Sequence, residues 1–411
     1  MNIVIVNHYA GGPAFGMEFR PYYLAKKWKK MGHDVMVVGG SFSHLRSKQP
    51  DITSTIKRDT IEGVNYVWLK TNSYIGNGAR RAMSMVLFCW RLWYHSKALL
   101  DSFKPDLIIA SSTYPLDSIP AKKLADKYNA TFCFEVHDLW PLSPMELGGY
   151  SKYNPFIMVM QWAENFAYKT ADLVISMLPN TLEHMIAHGL QRDKFCYIPN
   201  GIATEEWIIE NESNSHIDFL NKLHADHKVI VGYVGGHAIS NALDTLIGVA
   251  SLAEKENSKL VFVLVGSGAE KDRLLRSVTA LSLSNVFFLP PISKRSIPKL
   301  LSEMDILYLG WHNNPLYRFG ISPNKLIDYM MAGKPVVHSV NAANDLVEES
   351  SCGISVPPGD QKGIVDALNL ISGLSDAERH AMGMRGRQYV LKNYNYDFLA
   401  EKFLDFAKTR M

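Results

Sequence analysis

Four short stretches of the 411-residue chain carry residues whose types and spacing could do chemistry, and each follows a run of strand-like character. The most informative is YRFGISPNKLIDYMMAGKPVV, residues 317–337. Gly320, Ser322 and Pro323 break the chain ahead of a helical pattern that starts near Asn324, and Lys325 falls within its first turn. A cation there opposes the helix dipole, a local mismatch that a nearby anion would relieve. Asp328 follows at i+3 on the same face, where it could accept hydrogen bonds from vicinal hydroxyls while Lys325 holds phosphate oxygens. A surface ion pair would give the same spacing. Arg318, just upstream, is a candidate second cation.

The other three stretches are glycine turns and a strand end. In YVGGHAISNALDTL (233–246), Gly235 and Gly236 lead into a helix that Ser240 or Asn241 could cap, with Asp244 three residues after Asn241. Backbone N–H groups at such a turn suit a phosphate, and a tight turn with a cap accounts for it equally well. In FEVHDLWP (134–141), strand alternation puts Cys133, Glu135 and His137 on one face, so that His137 ends the strand with Asp138 beside it. Neutral imidazole can hydrogen-bond a hydroxyl, and a carboxylate can orient such a group. In NHYAGGPAFG (7–16), Gly11, Gly12 and Gly16 would let the backbone approach a ligand.

Several chemistries find no support. Gly266 and Gly268 give half of a dinucleotide fingerprint, but Lys271 stands where its third small residue belongs. No two aspartates lie two positions apart, which removes that type of metal clamp, and neither HExxH nor G-x-S-x-G occurs. The formal net charge is only +3, with neither a basic helix nor a finger motif, so no nucleic-acid partner is expected.

The elements that must position these residues alternate between short apolar strands and amphipathic helices. Strands are expected at 3–7, 34–40, 64–70, 106–112, 131–137, 171–178 and 194–200, and again at 229–236, 260–266, 285–290, 305–310, 335–340 and 353–358. At 47 % hydrophobic residues the chain is too long for one core, and two doubly wound α/β domains in tandem fit the restart of the pattern. They would span 1–205 and 206–393, joined near 200–227 where ATEEWIIENESNSHIDF loses its periodicity, with a last helix from about 394 to 411 crossing back to the first. Cys89, Cys133, Cys196 and Cys352 lie far apart without a CxxC pair, and the N-terminus lacks a basic leader. Both point to the cytoplasm. Residues 79–100 show a narrow polar stripe of Arg81, Ser84, Arg91 and His95 on an apolar helix containing Trp90 and Trp93, which fits a buried or a membrane-interfacial helix.

The glycine loop, HDLWP, ADLVIS, YIPNGI, FVLVGSG and above all SPNKLIDYMMAGKPVV together resemble the retaining glycosyltransferases of family four. The resemblance spans nearly the whole chain and looks closest to bacterial O-antigen or capsule transferases of the N-acetyl-L-fucosamine transferase type. It implies the GT-B architecture, two Rossmann-like domains facing across a cleft. It further implies a nucleotide diphospho-sugar donor as co-substrate, a glycan or polyprenyl-diphosphate-linked acceptor, no cofactor and no required metal, while the helix 79–100 and the basic first half of the chain lean toward peripheral contact with an anionic membrane at its inner face. Carried over by position, Gly11 and Gly12 correspond to the acceptor-side loop and His137, with Asp138, to the catalytic strand end. Gly235, Gly236, Arg318, Ser322, Asn324, Lys325 and Asp328 would line the donor site. Two departures stand out: Gly236 and Ala242 replace an Arg and a Lys that many members use on the diphosphate, and the first Glu of the usual E-x7-E pair is missing. Lys325, helped by Arg318, is therefore expected to take over the diphosphate. A nucleotide-sugar 2-epimerase of the same architecture and a two-lobed sugar-binding protein are the alternatives.

Overall fold

A computed structural model describes residues 1–76, 78–209, 214–256 and 258–411. Part of the polar joining stretch, residues 210–213, lies outside the described residues. The chain divides into two compact units, Met1–Asn200 with Tyr396–Met411, and Gly201–Asn395.

Unit one is built on an eight-stranded sheet: β1 (Asn2–Val6), β2 (Asp34–Gly40), β3 (Ile56–Ile61), β4 (Val64–Leu69), β5 (Leu107–Ala110), β6 (Thr131–Val136), β7 (Leu173–Ser176) and β8 (Phe195–Tyr197). The spatial order is β3-β4-β2-β1-β5-β6-β7-β8. Every pairing is parallel except β3 with β4, where Ile56 sits opposite Leu69. The central strands are apolar throughout, Ile3 to Val6 and Leu107 to Ala110 being buried, because helices cover both faces of a parallel sheet. The pattern missed β3. Its sequence IKRDTI has no apolar run, since an edge strand half open to water needs none.

The C-terminal helix Tyr396–Lys408 belongs to this unit and packs on the helix Arg20–Lys30. Its seam is aromatic: Trp28 meets Phe403 at 5.1 Å between ring centroids, and the Trp28 indole N–H donates to the Ala400 carbonyl at 2.9 Å. Lys27 pairs with Asp397 at 2.8 Å and Lys402 donates to the Tyr197 carbonyl at 2.9 Å.

Unit two carries six parallel strands, β9 (Val229–Val234), β10 (Leu260–Val265), β11 (Val286–Leu289), β12 (Ile306–Gly310), β13 (Val336–Ser339) and β14 (Gly353–Val356). Their order β11-β10-β9-β12-β13-β14 is the 3-2-1-4-5-6 arrangement of a dinucleotide-binding fold, which reverses between β9 and β12. Ligands of such sheets bind beyond the carboxyl ends of the strands at that reversal, so the turn after β9 and the segment after β12 are where chemistry belongs. The architecture is thus α/β with two Rossmann-like sheets.

Truncating the seam tests the C-terminal helix. Phe403→Ala removes a fully buried ring and is expected to destabilise unit one by about 3–5 kcal/mol, measured by urea denaturation followed through tryptophan fluorescence.

Candidate active site

The segment after β12 turns through a short 3₁₀ helix, Pro315–Phe319, and enters the helix Asn324–Met331. Pro323 precedes that helix, no side chain caps it, and no acidic residue occupies its first turn, so its first amides and Lys325 lie together. The Lys325 ammonium reaches back to the end of β9. It donates to Asn241 Oδ1 at 2.6 Å and to the Tyr233 hydroxyl at 3.1 Å, and lies 5.3 Å from the centre of the Tyr233 ring. All three contacts are with neutral groups, and among the described residues no carboxylate pairs with it. Burial of the charge lowers its pKa to about 8.

The two glycine turns of unit two interlock beneath this lysine. A side-chain carbon on Gly235, whose φ is +155°, would stand 2.5 Å from Lys325 Cε, and one on Gly266 would stand 2.0 Å from the Gly235 carbonyl oxygen. The G-x-G at Gly266 and Gly268 therefore serves close backbone contact with the Gly235–His237 turn. Ser240 and Asn241 do not cap the helix Leu243–Lys255, which begins after Ala242 without a side-chain cap. Asn241 is drawn away because its amide donates to the Gly236 carbonyl at 2.8 Å while its oxygen accepts from Lys325.

Asp328 forms no ion pair with Lys325, which removes the surface-pair explanation of their spacing. Its carboxyl is partly buried, and desolvation raises its pKa to about 7 despite the influence of Lys294. Arg318 is exposed, donates to the Pro315 carbonyl of its own turn at 2.6 Å and stacks 4.4 Å above Phe319. Ser322 is partly buried and Asn324 is exposed at the helix start. Gly236 is exposed at its turn.

Two residues near Lys325 were missed. His237 is fully buried, both its ring nitrogens lack a hydrogen-bond partner, and burial, then Lys271 and Lys325, lower its pKa to about 4. Lys271, which had only counted against a dinucleotide fingerprint, is therefore a second cation acting on the same neighbourhood. Its ammonium sits 3.4 Å from the Gly266 carbonyl. The signal available in the sequence was position alone, His237 directly following the glycine pair after β9.

In unit one the strand-end histidine has a different partner from the one expected. His137 Nε2 lies 3.0 Å from Ser111 Oγ and 3.4 Å from Glu135 Oε2, and Ser111 donates to Glu135 at 2.6 Å. Asp138 makes no such contact. Glu135 in β6 and His137 just past its end share a face by the period of two, whereas Asp138 is exposed and lines a small recess with Tyr114, Trp140, Glu164 and Tyr168. Glu135 is in turn held by Arg20, paired at 3.0 Å with both side chains buried, and Arg20 also donates to the carbonyls of Ile198 and Pro199. Burial opposes ionisation of Glu135, but Arg20, His137 and Ser111 together hold its pKa near 2. Burial likewise works against charging His137, and Glu135 reverses it to raise the pKa. Ser111, donating to Glu135, accepts from Nε2–H, which fixes the tautomer and leaves Nδ1 as the acceptor of the neutral ring.

The loop of Gly11 and Gly12 is already satisfied by the chain itself. Gly11 N–H bonds the Glu18 carbonyl at 2.8 Å and Gly12 N–H the Gly16 carbonyl at 2.9 Å, and both residues are buried, so neither amide is presented to a ligand. On the helix Ala79–Tyr94, Ser84 belongs to the buried face with Met85, Phe88 and Leu92, while Met83, Val86, Trp90, Trp93 and Tyr94 are exposed. No helix among the described residues is long and apolar enough to cross a membrane.

Residues 16–206 match Glycosyltransferase Family 4 and residues 228–372 match Glycosyl transferases group 1. The two units carry a family 4 and a group 1 glycosyltransferase domain. These domains are similar to the 2-deoxystreptamine N-acetyl-D-glucosaminyltransferase of Streptomyces fradiae, 22 % identical over 69 % of this chain and 66 % of that protein. They are also similar to the alpha-D-kanosaminyltransferase of Streptomyces kanamyceticus, 23 % identical over 54 % of this chain and 55 % of that one. The match thus spans roughly half to two thirds of the length of these two relatives. Among solved structures, Anabaena Alr3699/HepE in complex with UDP and glucose aligns over 100 % of both chains with a TM-score of 0.69 at 16 % identity, so the glycosyltransferase domains share the GT-B fold.

Two measurements probe the site. Glu135→Gln removes the charge that raises the His137 pKa, and that pKa, read by NMR titration, is expected to fall. Lys325 titrates near 8 in the folded chain against 10.5 for an ordinary lysine, so the unfolded state binds the extra proton between these values and stability rises with pH there. Asp328, raised from 3.8 to about 7, makes stability fall as pH rises across that lower window. Urea denaturation across pH should show Lys325→Met flattening the alkaline rise and Asp328→Asn flattening the acidic fall.

Proposed function

We propose that the protein transfers a sugar from a nucleotide diphospho-sugar to a glycan or polyprenyl-diphosphate-linked acceptor, with retention of configuration and without a metal, in bacterial surface polysaccharide synthesis. The observation that carries this reading is the Lys325 ammonium, held by two neutral groups beside an uncapped helix start and two glycine turns. A diphosphate supplies the negative charge that such an arrangement lacks. Cleavage of the sugar–phosphate bond leaves charge on the departing diphosphate, and preorganised cations and amides stabilise it by roughly 3 kcal/mol per good donor. Lys325 takes the diphosphate, and Lys271 and the single N–H of the neutral His237 ring offer further donors to its oxygens. Asp328, ionised above about pH 7, accepts from the ribose hydroxyls.

His137 serves the sugar. With Nε2–H fixed by Ser111, its Nδ1 accepts from a hydroxyl, and the Arg20–Glu135 pair holds the ring in place. The relatives named for N-acetylglucosaminyl and kanosaminyl groups handle amino sugars, which supports an N-acetylated deoxysugar as the transferred unit. UDP in the HepE complex supports a nucleotide donor.

The acceptor side is read from the exposed face of Ala79–Tyr94. Its tryptophans and Met83, with Lys123 5.7 Å above the Trp93 ring, suit the interface of an anionic membrane, where a lipid-linked acceptor resides. Flotation with anionic liposomes at low salt is expected to carry the protein upward, and Trp90→Ala/Trp93→Ala to reduce it; no flotation of the wild type removes this element.

Lys325→Ala is expected to lower kcat/KM for sugar transfer at least about a hundredfold, and unchanged turnover contradicts the assignment. A thermal-shift panel of UDP-, GDP- and dTDP-sugars should single out one base, a ligand at a hundred times its Kd adding about 2.7 kcal/mol. Nucleotide release that requires an acceptor separates transfer from 2-epimerisation.

A further inference from the structure

Away from the residues assigned to transfer, unit one contains a compact donor set that the proposed chemistry does not use. Glu164 lies on the helix Pro155–Thr170, and His184 and His188 stand one turn apart at the helix Leu182–Ala187 and its C-terminal cap. One potential ligand atom from each of the three lies within 4.8 Å of the others. Glu164 Oε1 is 3.2 Å from His184 Nε2, close to the edge of a tetrahedron with metal–ligand bonds of about 2.0–2.1 Å, and the imidazole centroids are 4.5 Å apart.

The groups around the set hold it as ligands are held elsewhere. The Tyr168 hydroxyl donates to Glu164 Oε1 at 3.1 Å and Gln161 donates to Oε2 at 2.7 Å, so both oxygens of the buried carboxylate are oriented. Asn165 Oδ1 lies 2.9 Å and Gln161 Nε2 3.1 Å from His188 Nδ1, contacts that orient the ring and would leave Nε2 as its ligand atom. Glu164 is only 1 % exposed, whereas both histidines are partly exposed, which leaves an entry side.

We propose that Glu164, His184 and His188 bind one divalent transition-metal ion of the zinc type. Two imidazoles and one carboxylate match the preferences of that class, and an ion there ties the helix carrying Glu164 to the helix carrying the histidines. Glu164 and Tyr168 also line the recess that includes Asp138 and Trp140, so the ion would stiffen one wall of it. Its role is structural, distinct from the departing diphosphate that Lys325 serves.

The full chain, stripped with a chelator and dialysed, is titrated with Zn²⁺ by calorimetry and with Co²⁺ by visible absorption. One equivalent should bind with release of protons, and His188→Ala and Glu164→Gln should each raise Kd at least about tenfold. His188→Ala changes a partly exposed side chain at a helix end, so it carries the test if Glu164→Gln does not fold. Absence of saturable uptake, or the same Kd in wild type and His188→Ala, overturns the proposal and leaves a hydrogen-bonded cluster only.

Discussion

A lysine charge partly withdrawn from water, with no carboxylate paired to it among the described residues, sets the terms for unit two. Burial of an ammonium normally demands a carboxylate, and its absence at Lys325 costs stability, as its lowered pKa records. The arrangement is nonetheless specific. Asn241 is diverted from capping the next helix, Tyr233 turns its hydroxyl to the ammonium, and Gly235 leaves room for the lysine stem. Asp328 in the same helix carries the opposite penalty, a carboxyl kept partly neutral by desolvation. Both groups lie on the helix Asn324–Met331, which follows β12 at the reversal point of the sheet, and the proposed donor would bring an anionic and a hydroxylated part to them.

Unit one solves the same problem the other way. Glu135 is almost wholly buried, yet it is neutralised from within by Arg20 and further bonded by Ser111 and His137. A fully connected network of this kind rigidifies its members, and here it fixes which nitrogen of His137 is free to accept a hydrogen bond. One unit therefore leaves the Lys325 ammonium without a carboxylate partner among the described residues, and the other fixes the nitrogen through which a neutral His137 ring would accept a hydrogen bond.

Much of this was legible in the sequence because it is local. The strands of unit two and the helix start at Asn324 follow from apolar runs and breakers, and the face shared by Glu135 and His137 follows from strand alternation. What escaped was either polar or distant. β3 has no apolar run to announce it, and the Gly11–Gly12 amides are consumed by Glu18 and Gly16 through a loop closure that composition does not show. Arg20 and Glu135 are 115 positions apart, and Lys325 and Asn241 are 84 apart, so no local period could reveal either contact. The pairing of His137 with Asp138 was inferred from adjacency, but neighbours along a strand point to opposite faces.

The most direct test is the pKa of Lys325 itself, followed by NMR of selectively labelled lysine in the free protein and in the presence of saturating nucleoside diphosphate. The account predicts a value near 8 in the free protein that moves upward when the diphosphate binds, because the anion supplies the missing charge. A lysine that already titrates at its ordinary value, or one that ignores the bound nucleotide, would contradict it.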